Sequence, residues 1–525
     1  MKNKVLKIVT SILALSLLVG CGGNKTSNNN DNIATLESNS KDEKVLVYGS
    51  SDYTSINPAL FEHGEINSLL FNGLTGRDKD NNIVPALAES WEYDDESLTY
   101  TFKLRDDVKW HDGEQFTADD VKFTYETINN PDVGSEIATN YEDIEKMEIV
   151  NDYEIKITLK DHNIAILDYF TVGIIPKHLL EGKDIITADF NISPIGTGPY
   201  KLSEWDEGQS ITLLKNEDYF KNTPKIDKII FKIVDDSKAK VMQLKSGELN
   251  LAQVTPKDID IFKNNSDFVV NIMKTADYRG ILYNFNSEFF SKYRDLPNIL
   301  SYGIDRQAIV DSILLGYGKV AYSPLQAGEY VNEDIEKFEY SPAKAKELLE
   351  ESGWKLGDDG IYEKDGAKLS FELVCGEGDQ VRVDMANFCA QQLKEIGADI
   401  KVAIKAKVDW ANQDAYLIGW GSPFDPDDHT YKVFSTNGGA NYSSYSNSKI
   451  DDILTKARQT DVFEERVKYY KDFQEEMTKD MPYTFLAYID AIYISTPNLK
   501  GITTDTVLGH HGVGIFWNVE EWDLE

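Results

Sequence analysis

Trp420 and Phe424 stand four residues apart in Tyr416-Leu-Ile-Gly-Trp-Gly-Ser-Pro-Phe-Asp-Pro-Asp427, with Gly421 between them and Asp425 and Asp427 close behind. Two aromatic rings on a loop stiffened by glycine and proline make a flat apolar platform with carboxylates at its side. That combination suits an extended peptide, which needs main-chain hydrogen bonds, roomy side-chain pockets and an acid for its ammonium end. A surface loop folded around a packed tryptophan would use the same residues. A second cluster is Ala59-Leu-Phe-Glu-His-Gly-Glu65. Here Phe61, Glu62, His63 and Glu65 are candidate contacts, the three polar ones for an ammonium or other cation. A solvated helix start would also favour glutamate at these positions.

The motifs of bond-making chemistry are missing. Neither GxGxxG nor GxxxxGK[ST] occurs, and there is no GxSxG elbow and no HExxH. The seven histidines, at 63, 111, 162, 178, 429, 510 and 511, are scattered. His510-His511 on an extended chain would point to opposite faces, so a surface pair is expected rather than a metal site. With 89 acidic residues, chance pairs of carboxylates are too common to indicate a general acid and base. No enzyme activity, metal or cofactor is expected. Cys375 and Cys389 lie fourteen apart, compatible with a disulfide or with two buried thiols, and no CxxC or zinc spacing is present.

The elements that hold these residues belong to a large chain. At 525 residues the length exceeds one core and suggests about three or four units of roughly 100–200 residues. A formal charge of −35 repels phosphate backbones and anionic lipid, which argues against nucleic-acid binding and against docking through a basic face. The 28 tyrosines and 23 phenylalanines distinguish the chain from an acidic disordered one.

The beginning of the chain reads as an address. Lys2, Lys4 and Lys7 precede an apolar run from Ile8 to Gly20. Thirteen helical residues span about 20 Å, short of the roughly 30 Å of hydrocarbon, so residues 1–20 read as a signal peptide. Leu18-Val-Gly-Cys21 resembles a bacterial lipobox, with Cys21 as the lipidated residue, and 21–43 then reads as a flexible tether. No other run approaches eighteen apolar residues, so no membrane-spanning helix is expected.

Along the rest, strands and helices alternate. Ser97 to Arg105 alternates as a strand, and Thr117 with Asp120 caps a helix that carries Val121, Tyr125 and Ile128. Asn151-Asp152 turns a hairpin, Ala239 to Ser246 is a helix closed by Gly247, and Glu65 to Phe71 is helix-like. Ser341-Pro342 starts another helix. Leu369–Cys375, Val381–Ile396 and Asp399–Ile404 read strand, helix, strand, which implies a right-handed crossover in a mixed α/β sheet. Ile450–Arg458 and Phe463–Lys479 are the last helices predicted.

Val84-Pro-Ala-Leu-Ala-Glu-Ser-Trp-Glu-Tyr-Asp, followed by Leu98-Thr-Tyr-Thr-Phe-Lys-Leu-Arg-Asp-Asp-Val-Lys-Trp-His-Asp-Gly-Glu-Gln-Phe-Thr-Ala-Asp-Asp-Val, resembles the signature of the family-5 extracellular solute-binding proteins. These are the peptide- and nickel-binding components of ABC importers. Ile56-Asn-Pro58, Ile195-Gly-Thr-Gly-Pro-Tyr200, Tyr302-Gly-Ile-Asp-Arg-Gln-Ala-Ile-Val310 and Ile450-Asp-Asp-Ile-Leu to Pro482 extend the likeness over the whole chain after the tether. The resemblance implies an α/β, two-lobed periplasmic-binding-protein-like fold with mixed sheets, a hinge between the lobes and an extra domain inserted in the first. Lobe I would comprise 44–74, 196–285 and 491–525, the inserted domain 75–195, and lobe II 286–490. It further implies a monomer that traps a peptide ligand between closing lobes and delivers it to the ABC permease transmembrane subunits and their ATPase complex. Its place would be the outer face of the cell membrane, held through the Cys21 lipid alone. In relatives Tyr53 and the strand Tyr278 to Asn286 lie near the hinge, and Arg279 is the nearby guanidinium for a ligand carboxylate or for a structural ion pair. Peptide-binding relatives pair an Asp three residues after the Trp with the peptide amino group. Here that position is Pro423. The Trp-Gly-Ser-Pro-Phe-Asp-Pro run is similar to the nickel-binding branch, where aromatic residues line a pocket for a metal chelate, so nickel or a metal chelate is the alternative ligand.

Overall fold

A computed structural model describes residues 43–525 except 61–63, 327 and 411. The signal peptide, Cys21 and nearly all of the tether lie outside the described residues, as do Phe61, Glu62 and His63. Among the described residues no helix is long and apolar enough to cross a membrane.

An eleven-stranded mixed sheet runs through the molecule. Its centre is an antiparallel pair of long strands, Val269–Tyr283 and Tyr483–Ser495. On one side follow Ala415–Trp420, Ser370–Gly376 and Asp399–Lys405; on the other, Leu251–Gln253, Val45–Ser50, Lys228–Ile233, Ser210–Lys215 and Tyr200–Asp206; the eleventh strand, Gly318–Val320, pairs with Tyr483–Ser495 off this path. The register of the long pair slips between Lys274 and Tyr278. Beside that slip the chain passes from one large hydrophobic core to another. The first core gathers residues such as Leu46, Phe102, Tyr125 and Trp522; the second gathers Tyr283, Leu300, Leu373 and Phe434. A separate four-stranded antiparallel sheet, formed by Ala88–Asp94, Thr99–Leu104, Glu154–Leu159 and Ile144–Asn151, packs into the first core. The fold is thus mixed α/β with two bodies joined by shared strands.

Local signals explain the elements. The Asp120 carboxylate accepts hydrogen bonds from the N–H of Thr117 (3.0 Å) and of Lys177 (2.9 Å), so a single side chain caps Ala118–Ile128 and docks the next segment. Gly247 closes Ser237–Ser246 at φ 77°, a left-handed conformation in which glycine has no Cβ penalty. Ser341 accepts from Lys344 N–H at the start of Pro342–Glu351. Gln380–Glu395 begins at Asp379 and joins the parallel strands Ser370–Gly376 and Asp399–Lys405, which is the predicted crossover. The segment Glu65 to Phe71 contributes only one helical turn, Asn67–Leu70. Cys375 and Cys389 are both free and buried, which resolves the two readings in favour of thiols.

Candidate functional site

The strand Ala415–Trp420 pairs residue for residue with Tyr278–Tyr283 and ends at the cavity between the two cores. This cavity has a volume of about 310 Å³. Trp420, Gly421 and Phe424 form its wall on the second-core side; Glu65, Phe71, Arg77 and Asp168 face them from the first. The C-terminal segment adds His510, Phe516 and Trp517.

Trp420 is held from two directions. The His510 ring stacks beside it with centroids 6.0 Å apart, and the Lys432 ammonium lies 5.2 Å from its ring centre. Gly421 sits at φ 151°, and a Cβ there would come within 2.1 Å of the Ala276 carbonyl. Its own carbonyl accepts a hydrogen bond from His510 N–H at 3.0 Å. Gly421→Ala is therefore expected to destabilise the protein by about 1–3 kcal/mol, measured as a lower midpoint in thermal unfolding. An unchanged midpoint would mean the backbone yields freely there. Phe424 lies under the Arg77 guanidinium, 3.6 Å from its carbon to the ring centre. Arg77 in turn donates to the Asn81 and Asp168 carbonyls and pairs with the Asp168 carboxylate at 2.9 Å. Burial, together with the charge of Asp425, pushes Asp168 up to about 6 in spite of Arg77.

The two acids of the aromatic loop are not directed at the cavity. Asp425 makes a bidentate ion pair with Arg466, at 2.6 Å to each oxygen, and also accepts from Asp427 N–H. Asp427 is fully buried and is bonded by Arg458 (2.7 and 3.1 Å) and by the Tyr169 hydroxyl (2.5 Å). The acid that does line the cavity is Asp428, which pairs with Lys432 at 2.9 Å. Burial alone would raise its carboxyl, yet Lys432 and a hydrogen bond from Ser422 hold it below the ordinary range. Arg279 is buried away from the cavity lining, paired with Asp277 at 2.5 Å and 3.7 Å from Asp379, so it sits in a structural ion-pair cluster.

Glu65 does line the cavity. The Tyr48 hydroxyl donates to it at 3.1 Å, and Tyr53, packed edge-on to Phe231, lies close by. Among the described residues it makes no ion pair, and burial raises its carboxyl above the ordinary range although the charge of Lys240, further off, draws it down. Tyr53 is not itself part of the lining.

Three contributors had no sequence signal. Arg77 and Asp168 come from segments 91 residues apart that carry no motif. His510 was expected on the surface, yet it is buried, with Nδ1 2.9 Å from Asp277. The chain at His511 adopts φ 54°, ψ 28°, a left-handed turn that brings the two imidazole centroids to 3.8 Å where an extended chain would separate them. Among the described residues no three His, Cys, Asp or Glu side chains converge to hold a metal ion. The arrangement is suited to holding a molecule with apolar faces and charges of both signs.

Comparison with known proteins identifies the family. Residues 82–442 match the model of the middle region of bacterial extracellular solute-binding proteins, family 5. The chain is 33% identical over 553 aligned positions to the oligopeptide-binding protein AppA of Bacillus subtilis (strain 168), covering 100% of this chain and 99% of that one. The structure of AppA from Bacillus subtilis in complex with a nonapeptide superimposes with a TM-score of 0.85 at 32% identity, over 92% of this chain and 99% of the other. NikZ of Campylobacter jejuni, solved in complex with Ni(L-His), superimposes with a TM-score of 0.87 at 39% identity, over 92% and 99%. With a match across most of its length and this fold, the chain belongs to the bacterial extracellular solute-binding proteins of family 5.

Proposed function

We propose that this protein is the substrate-binding component of an ABC importer and that it captures short peptides in the cavity between its two bodies. The observation that carries the reading is Glu65: a cavity carboxylate hydrogen-bonded by the Tyr48 hydroxyl, in no ion pair among the described residues although the charge of Lys240 reaches it from further off, and sharing the cavity with the Trp420–Phe424 platform. A peptide ammonium answers that carboxylate, and its apolar side chains answer the rings. In this reading Cys21 anchors the protein as a monomer outside the membrane, and the cargo passes to the permease without bond chemistry. The lobes are 44–74, 196–285 and 491–525 for the first, with 75–195 inserted in it, and 286–490 for the second.

Glu65→Gln separates binding from stability. A carboxyl whose pKa is raised on folding makes the folded state the better proton binder, so it lowers stability as pH rises through that raised value. The neutral amide is therefore expected to raise the unfolding temperature at pH 7 and at the same time to weaken binding of free-amino peptides by about 1.5–3 kcal/mol. Calorimetry with a mixture of short peptides and their N-acetylated forms tests this. If Glu65→Gln binds both forms as the parent does, Glu65 is not the ammonium receptor.

A second reading is supported by His510, whose ring lies against Trp420 at the cavity, and by the likeness to the NikZ structure. In it the cargo is nickel carried by free histidine, the metal arriving with its own chelator. Mass spectrometry of what leaves the purified protein on denaturation distinguishes the two. Recovery of a nickel complex alone would overturn the peptide reading.

A further inference from the structure

The first body supplies the cavity with a second set of polar groups, apart from Glu65 and from the Arg77–Asp168 pair. Tyr219 and Lys221 reach the lining from the loop that follows the strand Ser210–Lys215, and Glu520 reaches it from the single turn Val519–Glu521. Both segments are fixed in place. Asn216 opens the loop by donating through its side chain to the Gly198 carbonyl at 3.0 Å and through its N–H to the Pro199 carbonyl at 2.8 Å. The turn is held by the fully buried Trp522, whose indole N–H donates to Asn518 Oδ1 at 2.9 Å. Lys225 ties loop to turn by donating to the Glu521 carbonyl at 3.2 Å.

The charges of this set are not matched as the others are. Of the basic side chains in the lining, Arg77 pairs with Asp168, and His510 lies 2.9 Å from Asp277. Lys221 enters no ion pair among the described residues. It remains accessible, yet the protein around it takes enough water from its ammonium to draw its pKa below the ordinary value, with the charge of Glu520 working against that. Glu520 is the counterpart: burial raises its carboxyl, although its own backbone N–H and the charge of Lys221 draw it down. The two feel each other but stand further apart than an ion pair. Tyr219, only 7% exposed, accepts from the Asn72 side chain at 3.3 Å and donates to no group among the described residues. Its hydroxyl hydrogen is thus left for a molecule in the cavity. Separated opposite charges, each short of water, gain most from a molecule that brings an acceptor to one and a donor to the other. The free end of a peptide has that form, with a carboxylate and an amide N–H flanking one α-carbon.

Taking a peptide as the cargo, the reading on which this rests, we propose that Tyr219, Lys221 and Glu520 form a subsite for its free α-carboxyl end. Lys221 and Tyr219 donate to the carboxylate, and Glu520 accepts the N–H of the last peptide bond. With Glu65 for the ammonium, the cavity then selects peptides whose two ends are both free.

The test offers the full chain, stripped of bound molecules in guanidinium and refolded, an equimolar pool of tripeptides with free carboxyl ends and the same sequences as C-terminal methylamides. Mass spectrometry counts what each protein retains. The wild type is expected to favour the free acids by about ten- to a hundredfold. In Lys221→Met that ratio is expected to fall close to one, and in Tyr219→Phe to fall several-fold. A general loosening of the site would weaken both forms together and leave the ratio where it was, so an unchanged ratio in Lys221→Met overturns the subsite. Should Lys221→Met misfold by circular dichroism, an unchanged ratio in Tyr219→Phe decides against it in the same way. A wild type that retains both forms equally also overturns the subsite, while leaving the peptide reading in place. Retention of neither form overturns the peptide reading, and the subsite with it.

Discussion

Arg466→Ala is expected to destabilise the protein by about 3–5 kcal/mol, the range for removing one partner of a buried ion pair. Arg466 is 4% exposed and makes two bonds of 2.6 Å to Asp425 and a third, at 2.8 Å, to the Ala457 carbonyl. Taking away the guanidinium leaves the Asp425 carboxylate buried and near Asp168, whose own carboxyl already feels that charge. It also leaves the carbonyl that ends the Ser448–Gln459 helix without this donor. Equilibrium denaturation in urea reads the loss. The companion variant Arg466→Met/Asp425→Leu is expected to recover most of it, because both charges are then gone and the apolar volume is kept. If the single variant loses less than about 1 kcal/mol, solvent reaches Asp425 more readily than this structure allows.

Trp420→Ala carries the largest expected effect on binding, a loss of about 2–4 kcal/mol, the size of an aromatic hot spot in a closed pocket. The ring lines the cavity, with the His510 ring stacked beside it and the Lys432 ammonium over it. Removing it opens apolar volume where the cargo would lie and frees the His510 ring to move. Calorimetry with the cargo identified by mass spectrometry measures the change. Phe424→Ala is the comparison: its ring is already covered by Arg77, so a smaller loss is expected. Unchanged affinity in Trp420→Ala would take the aromatic loop out of the site, whichever cargo is bound.

Much of the frame could be read from local signals. The Thr117–Asp120 cap, the hairpin after Asn151 and the crossover from Ser370 to Lys405 depend on neighbours within a few turns; the cap and the crossover stand where the residue pattern put them, while the hairpin turns one residue later than predicted, at Asp152-Tyr153, because Asn151 still pairs with Glu154. The platform residues Trp420 and Phe424 were legible too, because Gly and Pro around aromatic side chains mark a stiff loop. What could not be read was the fate of the charges. Asp425 and Asp427 have the spacing of ligand acids, but their partners lie 41 and 31 residues further on, on helices whose polar-looking arginines turn inward. Arg279 is resolved the same way by Asp277 and Asp379. Conversely, Arg77 and Asp168 become cavity residues only because two distant segments of the first core meet over Phe424. Side-chain pairing over long sequence separations is a property of the packed fold, and no periodicity reports it.

The two thiols of the second core bear on how the folded protein meets oxidants. Burial pushes both Cys375 and Cys389 up to about 12, so neither offers a thiolate at neutral pH, and without a thiolate there is no attack on an oxidant or on another sulfur. In the folded protein both thiols are thus shielded from oxidants and from exchange with other sulfurs.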